Sequence, residues 1–424
     1  MTKRIVAVFI VAIITVCTLV SVSSCAREES DFSVTEATAS IDYSAYEGIT
    51  LNVYNWGEYI SDGSDGTVDV NEEFTRLTGI NINYTNYTSN EDMYNKIANG
   101  GVSYDIIIPS DYMIELLISE GMLEKLDFNN IPNYRYISDQ YKDLYFDPNN
   151  EYSVPYSVGM VGIIYNTKLV DKTVDSWSIL WDDDYRGEIL MFNNPRDAFG
   201  IAQFLLGIDV NTEDAAEWSA AKDKLSEQKS LVKAYVMDEV FNKMESGAAA
   251  LAPYYAGDFL SMYENNPDLA FAYPTEGTNI FIDSICIPSS CENKAAAELY
   301  INFLLDPEVA LANATTICYA TANTAVMENE EYKSFLADIH PDAYSILYPD
   351  ADTLYAGKDT DNFYFHNLSD STLSNLNSLW NSLKIETTED SGTGSIYWIC
   401  GGVLAAVIAV YVVLRIRKQR RRHD

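Results

Sequence analysis

Histidine is almost missing from this chain: its 424 residues hold three, His340, His366 and His423, beside six cysteines. Cys17, Cys25 and Cys400 belong to apolar terminal segments, which leaves Cys286, Cys291 and Cys318 between them. No Cys/His set for zinc can be assembled from these. Three thiols are not a disulfide framework, although they leave room for one bridge. Basic residues are scarce as well, 27 against 63 acidic, for a formal charge of −36. Such a field repels nucleic acid and anionic lipid and concentrates cations. An acidic surface also serves solubility, so the sign of the charge does not by itself choose a ligand. There is no glycine-rich phosphate loop, no internal repeat and no Ser/His/Asp spacing, so the common enzyme classes, a resident metal and an organic cofactor all lack a motif.

What is present at the ends places the chain outside the cytoplasm. Lys3 and Arg4 precede the apolar run "IVAVFIVAIITVCTLV", the pattern of an export signal over residues 1–25. The run closes in "VSSC", which resembles a bacterial lipobox with Cys25 as the lipidated residue; an ordinary signal peptide or a retained anchor is the alternative. Residues 396–414, "IYWICGGVLAAVIAVYVVL", are long and uncharged enough for a transmembrane helix. Six Arg/Lys follow in the tail 415–424, which puts the tail in the cytoplasm and the rest outside. Residues 26–47 and 386–395 are polar, acidic and Ser/Thr-rich, and read as linkers. The folded part then runs over about 48–385, comfortable for two lobes.

Its first elements alternate. "TLNVYNW" reads as a strand, "DVNEEFTRLTG" as a helix stopping at Gly79, "ININYTNY" as a strand, "SNEDMYNKIANG" as a capped helix and "YDIIIPS" as a buried parallel strand. This β-α-β-α-β order predicts a doubly wound sheet, which holds ligands at the carboxyl ends of its strands. Trp56 and Ser110 follow two such ends. In "NVYNWGEYI" Gly57 breaks the strand and groups an indole, a carboxylate and a phenol, Trp56, Glu58 and Tyr59, on one turn. That group suits an organic cation; a strand end packing its Trp into the core is the plainer reading.

Taken in order, "YNWGEYI", "TNYTSNEDMYNKI", "YDIIIPSDYMIELLISEGMLEKLD", "FDPNNEYSVPYSVG", "SWSILWDDDYRGEILM", "FIDSICIP", "INFLLDPEVA" and "YATANTAV" resemble the bacterial spermidine/putrescine-binding receptors that serve ABC transporters. The resemblance implies an α/β, two-lobed periplasmic-binding-protein fold, each lobe a mostly parallel sheet flanked by helices, with the ligand in the interlobe cleft. It divides the chain into one lobe of 48–158 with 283–327 and a second of 159–282 with 328–385. Its implied partners are a polyamine and an ABC transporter permease; the two terminal segments, not the resemblance, place the binding domain on the outer side of the cell membrane. Carried over position by position, the binding set is Trp56, Glu58, Tyr59, Ser110, Tyr112, Asn194, Asp197, Tyr255, Asp258, Phe281, Asp283 and Tyr319, with Phe365 or His366 as candidates for a late glutamine of some relatives. Carboxylates would meet ammonium groups protonated at any physiological pH, and the aromatics would wall the methylenes.

Two departures bear on specificity. Asn194 stands where spermidine receptors commonly carry an aspartate, and Phe281 replaces a frequent tryptophan; the missing carboxylate tilts the expectation toward putrescine or mixed specificity. Two other classes stay open on the residues alone. Tyr254 and Tyr255 form a pair of the kind used by ferric-ion-binding receptors, and paired carboxylates could serve a glycosidase.

Overall fold

The computed structural model describes residues 32–350 and 363–386. Strand β1 (Thr50–Trp56) pairs in parallel with β2 (Asn81–Tyr87) and β3 (Ile106–Ile107). Helices α1 (Val70–Thr78) and α2 (Asn90–Ala98) make the connections, as the alternation predicts. Each is punctuated by its sequence. The Asp69 side chain accepts the Glu72 N–H at 2.8 Å, and Gly79 takes the left-handed φ of 72° that ends α1. Ser89 caps α2 in the same way, through the Asp92 N–H. β3 is shorter than the apolar run implies. Its preceding residue, Asp105, turns its carboxylate to the Asn52 N–H at 2.8 Å, and Ser110 opens helix α3 (Asp111–Ser119) three residues after it.

In the second lobe β5 (Ile189–Phe192) pairs in parallel with β6 (Val232–Val236) and β7 (Leu251–Tyr255). Helices α4 (Pro195–Leu206) and α5 (Ala215–Gln228) connect β5 to β6, and α6 (Ala256–Asn265) follows β7.

The lobes share strands. β4 (Ser153–Asn166) is 14 residues long and almost wholly buried. Its first half pairs antiparallel with β9 (Ile280–Cys286) and the short β10 (Ala320–Thr321), its second half with β7 and β8 (Leu269–Ala272). A run of side chains buried on both faces is what a strand with structure on either side requires. The sheet order is β2-β1-β3-β9-β4-β7-β5-β6, so β9 and β4 are the seam. Burial follows the pleat: Val53 joins the core beneath one face of the first lobe with Phe74, Tyr300 and Phe303, while neighbouring Tyr54 joins the other with Met93 and Tyr104. The fold is therefore the two-lobed α/β architecture expected.

The linker reading of 26–47 is corrected over its described part. A helical turn, Glu36–Ala39, carries Thr38, which is 1% exposed and donates to a carboxylate oxygen of Asp306 at 2.5 Å. The Thr35 hydroxyl donates to the same oxygen at 2.6 Å, Tyr43 is buried, and Phe32 and Val34 lie on the first-lobe core. A segment that buries side chains and satisfies a buried carboxylate is part of the domain, whatever its composition. At the other end Glu386, expected to begin a linker, pairs with Lys222 and accepts from Ser226 on α5. Cys286, Cys291 and Cys318 are free thiols, so no bridge forms among them. Among the described residues no helix is long and apolar enough to cross a membrane. Cys25, residues 396–414 and the basic tail lie outside the described residues.

Candidate functional site

Parallel strands that end at one level leave a gap there, because the chain must rise away into a helix. Here that happens four times around one cleft. Trp56 ends β1, Ser110 follows β3, Asn194 follows β5, and Tyr255 ends β7. The seam strands supply the floor: Phe281 and Asp283 lie on one face of β9, and Tyr319 precedes β10. The cavity between them measures about 130 Å³, and all twelve residues carried over from the resemblance line it. Phe365 lines it too. His366 is not among the lining residues; its ring lies tilted against Tyr145 at 4.2 Å, with its Nδ1 3.7 Å from Glu115.

The aromatic side chains interlock. Trp56 donates its indole N–H to the Ile108 carbonyl at 2.9 Å and lies 4.6 Å from the Tyr87 ring. Tyr59 meets Tyr319 edge-on at 5.3 Å, and Phe281 meets Tyr255 edge-on at the same distance. Phe281 can approach the seam closely because Gly159 is opposite; a Cβ there would sit 2.1 Å from the ring's Cζ. Tyr112 is fixed from the first lobe, donating to Glu91 at 3.0 Å and accepting from Asn90 at 3.1 Å. Glu58 is exposed at the mouth and holds a left-handed φ of 50°, uncommon for a residue with a Cβ.

Among the carboxyls that line this box, three stand beside its aromatic walls. Asp283 accepts the Tyr59 hydroxyl on Oδ2 at 2.7 Å, while its Oδ1 is buried with no partner. Burial pushes it up to about 6, with the nearby Ser110 and Tyr59 hydroxyls acting the other way. Asp197 accepts Tyr255 at 2.9 Å and the Asn194 amide at 2.8 Å, both on Oδ2; burial pushes it up to about 7. Burial likewise pushes Asp258 up to about 7, with a Tyr319 hydrogen bond acting the other way. Asp197 and Asp258 lie in the first turns of α4 and α6, where the helix end favours negative charge. A pocket of carboxyls held above their ordinary range by burial is poised to take cations and release protons.

Asn194 has less freedom than its place suggests. Its Oδ1 caps α4 by accepting the Arg196 N–H at 2.9 Å, and its Nδ2 is spent on Asp197, so it orients a carboxylate rather than offering a free group.

The sequence reading missed several lining residues. Asn90 donates to the Ser110 hydroxyl at 3.1 Å. Asp111, 1% exposed, accepts the Tyr112 and Ile282 N–H groups and is pushed well up by burial. Arg196 lies with its guanidinium 4.4 Å from the Phe365 ring and is held lower, at about 10, by burial. Asn279 stands two positions before Phe281, a spacing that alternation along β9 makes significant in retrospect. Among the described residues no group of three His, Cys, Asp or Glu side chains gathers as a metal site.

Two lobes, a shared-strand seam and an aromatic box between them define a two-lobed solute-binding protein. The chain belongs to the bacterial extracellular solute-binding protein family, whose model matches residues 103–342. It is 35% identical over 316 residues to the spermidine/putrescine-binding periplasmic protein of Salmonella typhimurium, covering 74% of this chain and 87% of that one. The protein of that name from Escherichia coli K12 is 35% identical over 311 residues, with 73% and 86% covered. The solved spermidine/putrescine ABC transporter substrate-binding protein of Streptococcus pneumoniae is 32% identical and superposes with a TM-score of 0.65 over 80% of this chain and 99% of its own.

Proposed function

We propose that this protein is an extracytoplasmic receptor that binds putrescine or spermidine in the interlobe cleft and delivers it to the permease of an ABC transporter. The observation that carries this reading is the pairing of a buried, partnerless carboxylate oxygen, Asp283 Oδ1, with a box of aromatic walls. A buried acceptor without a donor is costly unless a ligand supplies one. The donor must also be cationic, because Asp197 and Asp258 face the same space. An alkyl diamine meets both conditions: its ammonium ends match the carboxylates, and its methylenes and charge both suit ring faces. The proteins of similar sequence carry names that state the same ligands.

Size favours the shorter ligand. A cavity of about 130 Å³ is of the order of the ~150 Å³ cavity that holds a benzene, and putrescine has as many heavy atoms as benzene. The membrane attachments expected from Cys25 and from residues 396–414 would keep such a receptor beside its permease at high effective concentration. Neither ferric ion nor a glycoside is favoured by an observation at this site. Calorimetric titration of the purified protein with putrescine, spermidine and spermine tests the proposal. Saturable heat with at least one of them is expected; no heat with any, at neutral pH and low salt, would overturn it.

A further inference from the structure

Asn279 is 6% exposed, and its Oδ1 is buried without a hydrogen-bond partner. Its backbone is settled, the carbonyl accepting the Val161 N–H at 3.1 Å, so the orphan is the side chain alone. Alternation along the strand puts it on the face that carries Phe281 and Asp283 toward the cleft. Beside it lies a second, smaller cavity of about 10 Å³, which Asn279 and Asp197 share with Thr278, whose hydroxyl is spent on the Val161 carbonyl, and with Trp177, Ile201, Phe204 and Phe365. That volume is at the lower limit for one water, whereas the cleft that Asn279 also lines is more than ten times larger, about 130 Å³. The missing donor therefore comes from the cleft side.

A primary ammonium carries three N–H groups, and in a site closed to water each needs an acceptor. Asp197 offers only its Oδ1, since Oδ2 already accepts Tyr255 and Asn194. We propose that Asn279 is a specificity-determining residue whose Oδ1 accepts a hydrogen bond from the terminal primary ammonium that pairs with Asp197. The space of about 10 Å³ beyond it has no room for more chain, so the alkyl chain stops there. This rests on the polyamine reading and refines it: the site selects an unsubstituted terminal ammonium at this end, which a secondary or N-alkylated amine cannot satisfy with the same number of donors.

The test uses Asn279→Leu, near in size and unable to accept, together with Asn279→Thr and Asp283→Asn, each in the full-length protein, titrated calorimetrically with putrescine and melted without ligand. For Asn279→Leu the affinity is expected to fall about tenfold or more, the scale of one charge-assisted hydrogen bond. The ligand-free melting temperature should stay level or rise, because an orphan acceptor has been removed. A structural asparagine would do the reverse, lowering the melting temperature when lost. Affinity within twofold of the unsubstituted protein overturns the assignment, and so does an affinity loss that comes with a lowered ligand-free melting temperature in both Asn279 variants. The receptor reading fails separately, if the unsubstituted protein binds no polyamine. If it binds, and Asp283→Asn weakens it while Asn279→Leu does not, only the inference about Asn279 falls.

Discussion

Lowering the pH should loosen the ligand while tightening the empty protein, and the two effects have one cause. Asp283, Asp197 and Asp258 are held near 6, 7 and 7 in the ligand-free cleft, against an ordinary value of 3.8. The ammonium groups titrate near ten and stay charged throughout. Each carboxyl must shed its proton before it can pair, and that costs a factor of ten, about 1.36 kcal/mol, for every pH unit below its value. At pH 5 the penalty is about two powers of ten for Asp197 and one for Asp283, so affinity should fall up to about a thousandfold between pH 8 and pH 5. Asp258 adds to this where the ligand reaches it. Stability runs the other way. A carboxyl raised in the folded state contributes stability that is full below 3.8 and lost as pH rises through 6–7. The ligand-free protein should therefore gain stability from these groups on acidification from pH 8 to pH 5, and the rise in melting temperature given by saturating putrescine should shrink over the same range. Titrations at pH 6.5 in two buffers of different ionisation enthalpy would count the protons released, and between about one and two are expected. An affinity constant from pH 8 to pH 5, with no proton release, would refute the idea that burial of these carboxyls governs binding.

Three further outcomes are expected. Asp283→Asn should weaken putrescine at least tenfold by calorimetry, through loss of a charge-assisted bond of about 1.5–3 kcal/mol, without lowering the ligand-free melting temperature; an unchanged affinity would remove Asp283 from the site. Gly159→Ala places a methyl 2.1 Å from the Phe281 ring and should drive that ring into the cleft, costing about 1–3 kcal/mol in denaturant unfolding and most of the affinity; normal binding would mean that the floor can move aside. Asp306→Ala strands the Thr35 and Thr38 hydroxyls and the Thr35 N–H, and should destabilise by about 2–4 kcal/mol while leaving ligand affinity within twofold; an equal loss of both would contradict the separation of this anchor from the cleft.

Much of the first lobe was legible because its signals are local. Asp69 and Gly79 bracket one helix, Ser89 opens the next, and the strands between them alternate. The grouping of Trp56, Glu58 and Tyr59 at a strand end could be read for the same reason. What escaped depends on partners far along the chain. Residues 32–47 look like a spacer because their acids and small polar residues outnumber Phe32, Val34 and Tyr43; what fixes them is Asp306, 268 residues from Thr38. The sequence reads Asn194 as a binding position that lacks the usual carboxylate, and nothing in the letters says that both ends of its amide are used, one to start a helix and one to steer Asp197. Asn279 was passed over because a polar residue before a strand is ordinary, and its want of a partner exists only once α4 and Phe365 have closed around it.

The two ends of the described chain leave from different lobes. Residue 32 departs beside the core of the first, where Asp306 holds the segment that follows it. Glu386 is fastened to the second, where Lys222 and Ser226 grip its carboxylate and Lys229 donates to its carbonyl at 2.6 Å. A pull on one end is thus borne by one jaw, and a pull on the other by the opposite jaw. The seam of β4 and β9 lies between the two attachment points, so any change in the angle of the jaws alters the distance between them. The molecule is strung like a pair of tongs held by both handles: whatever constrains the separation of residues 32 and 386 also biases how widely the jaws open, and a fluorophore pair placed at those two positions would read that opening directly.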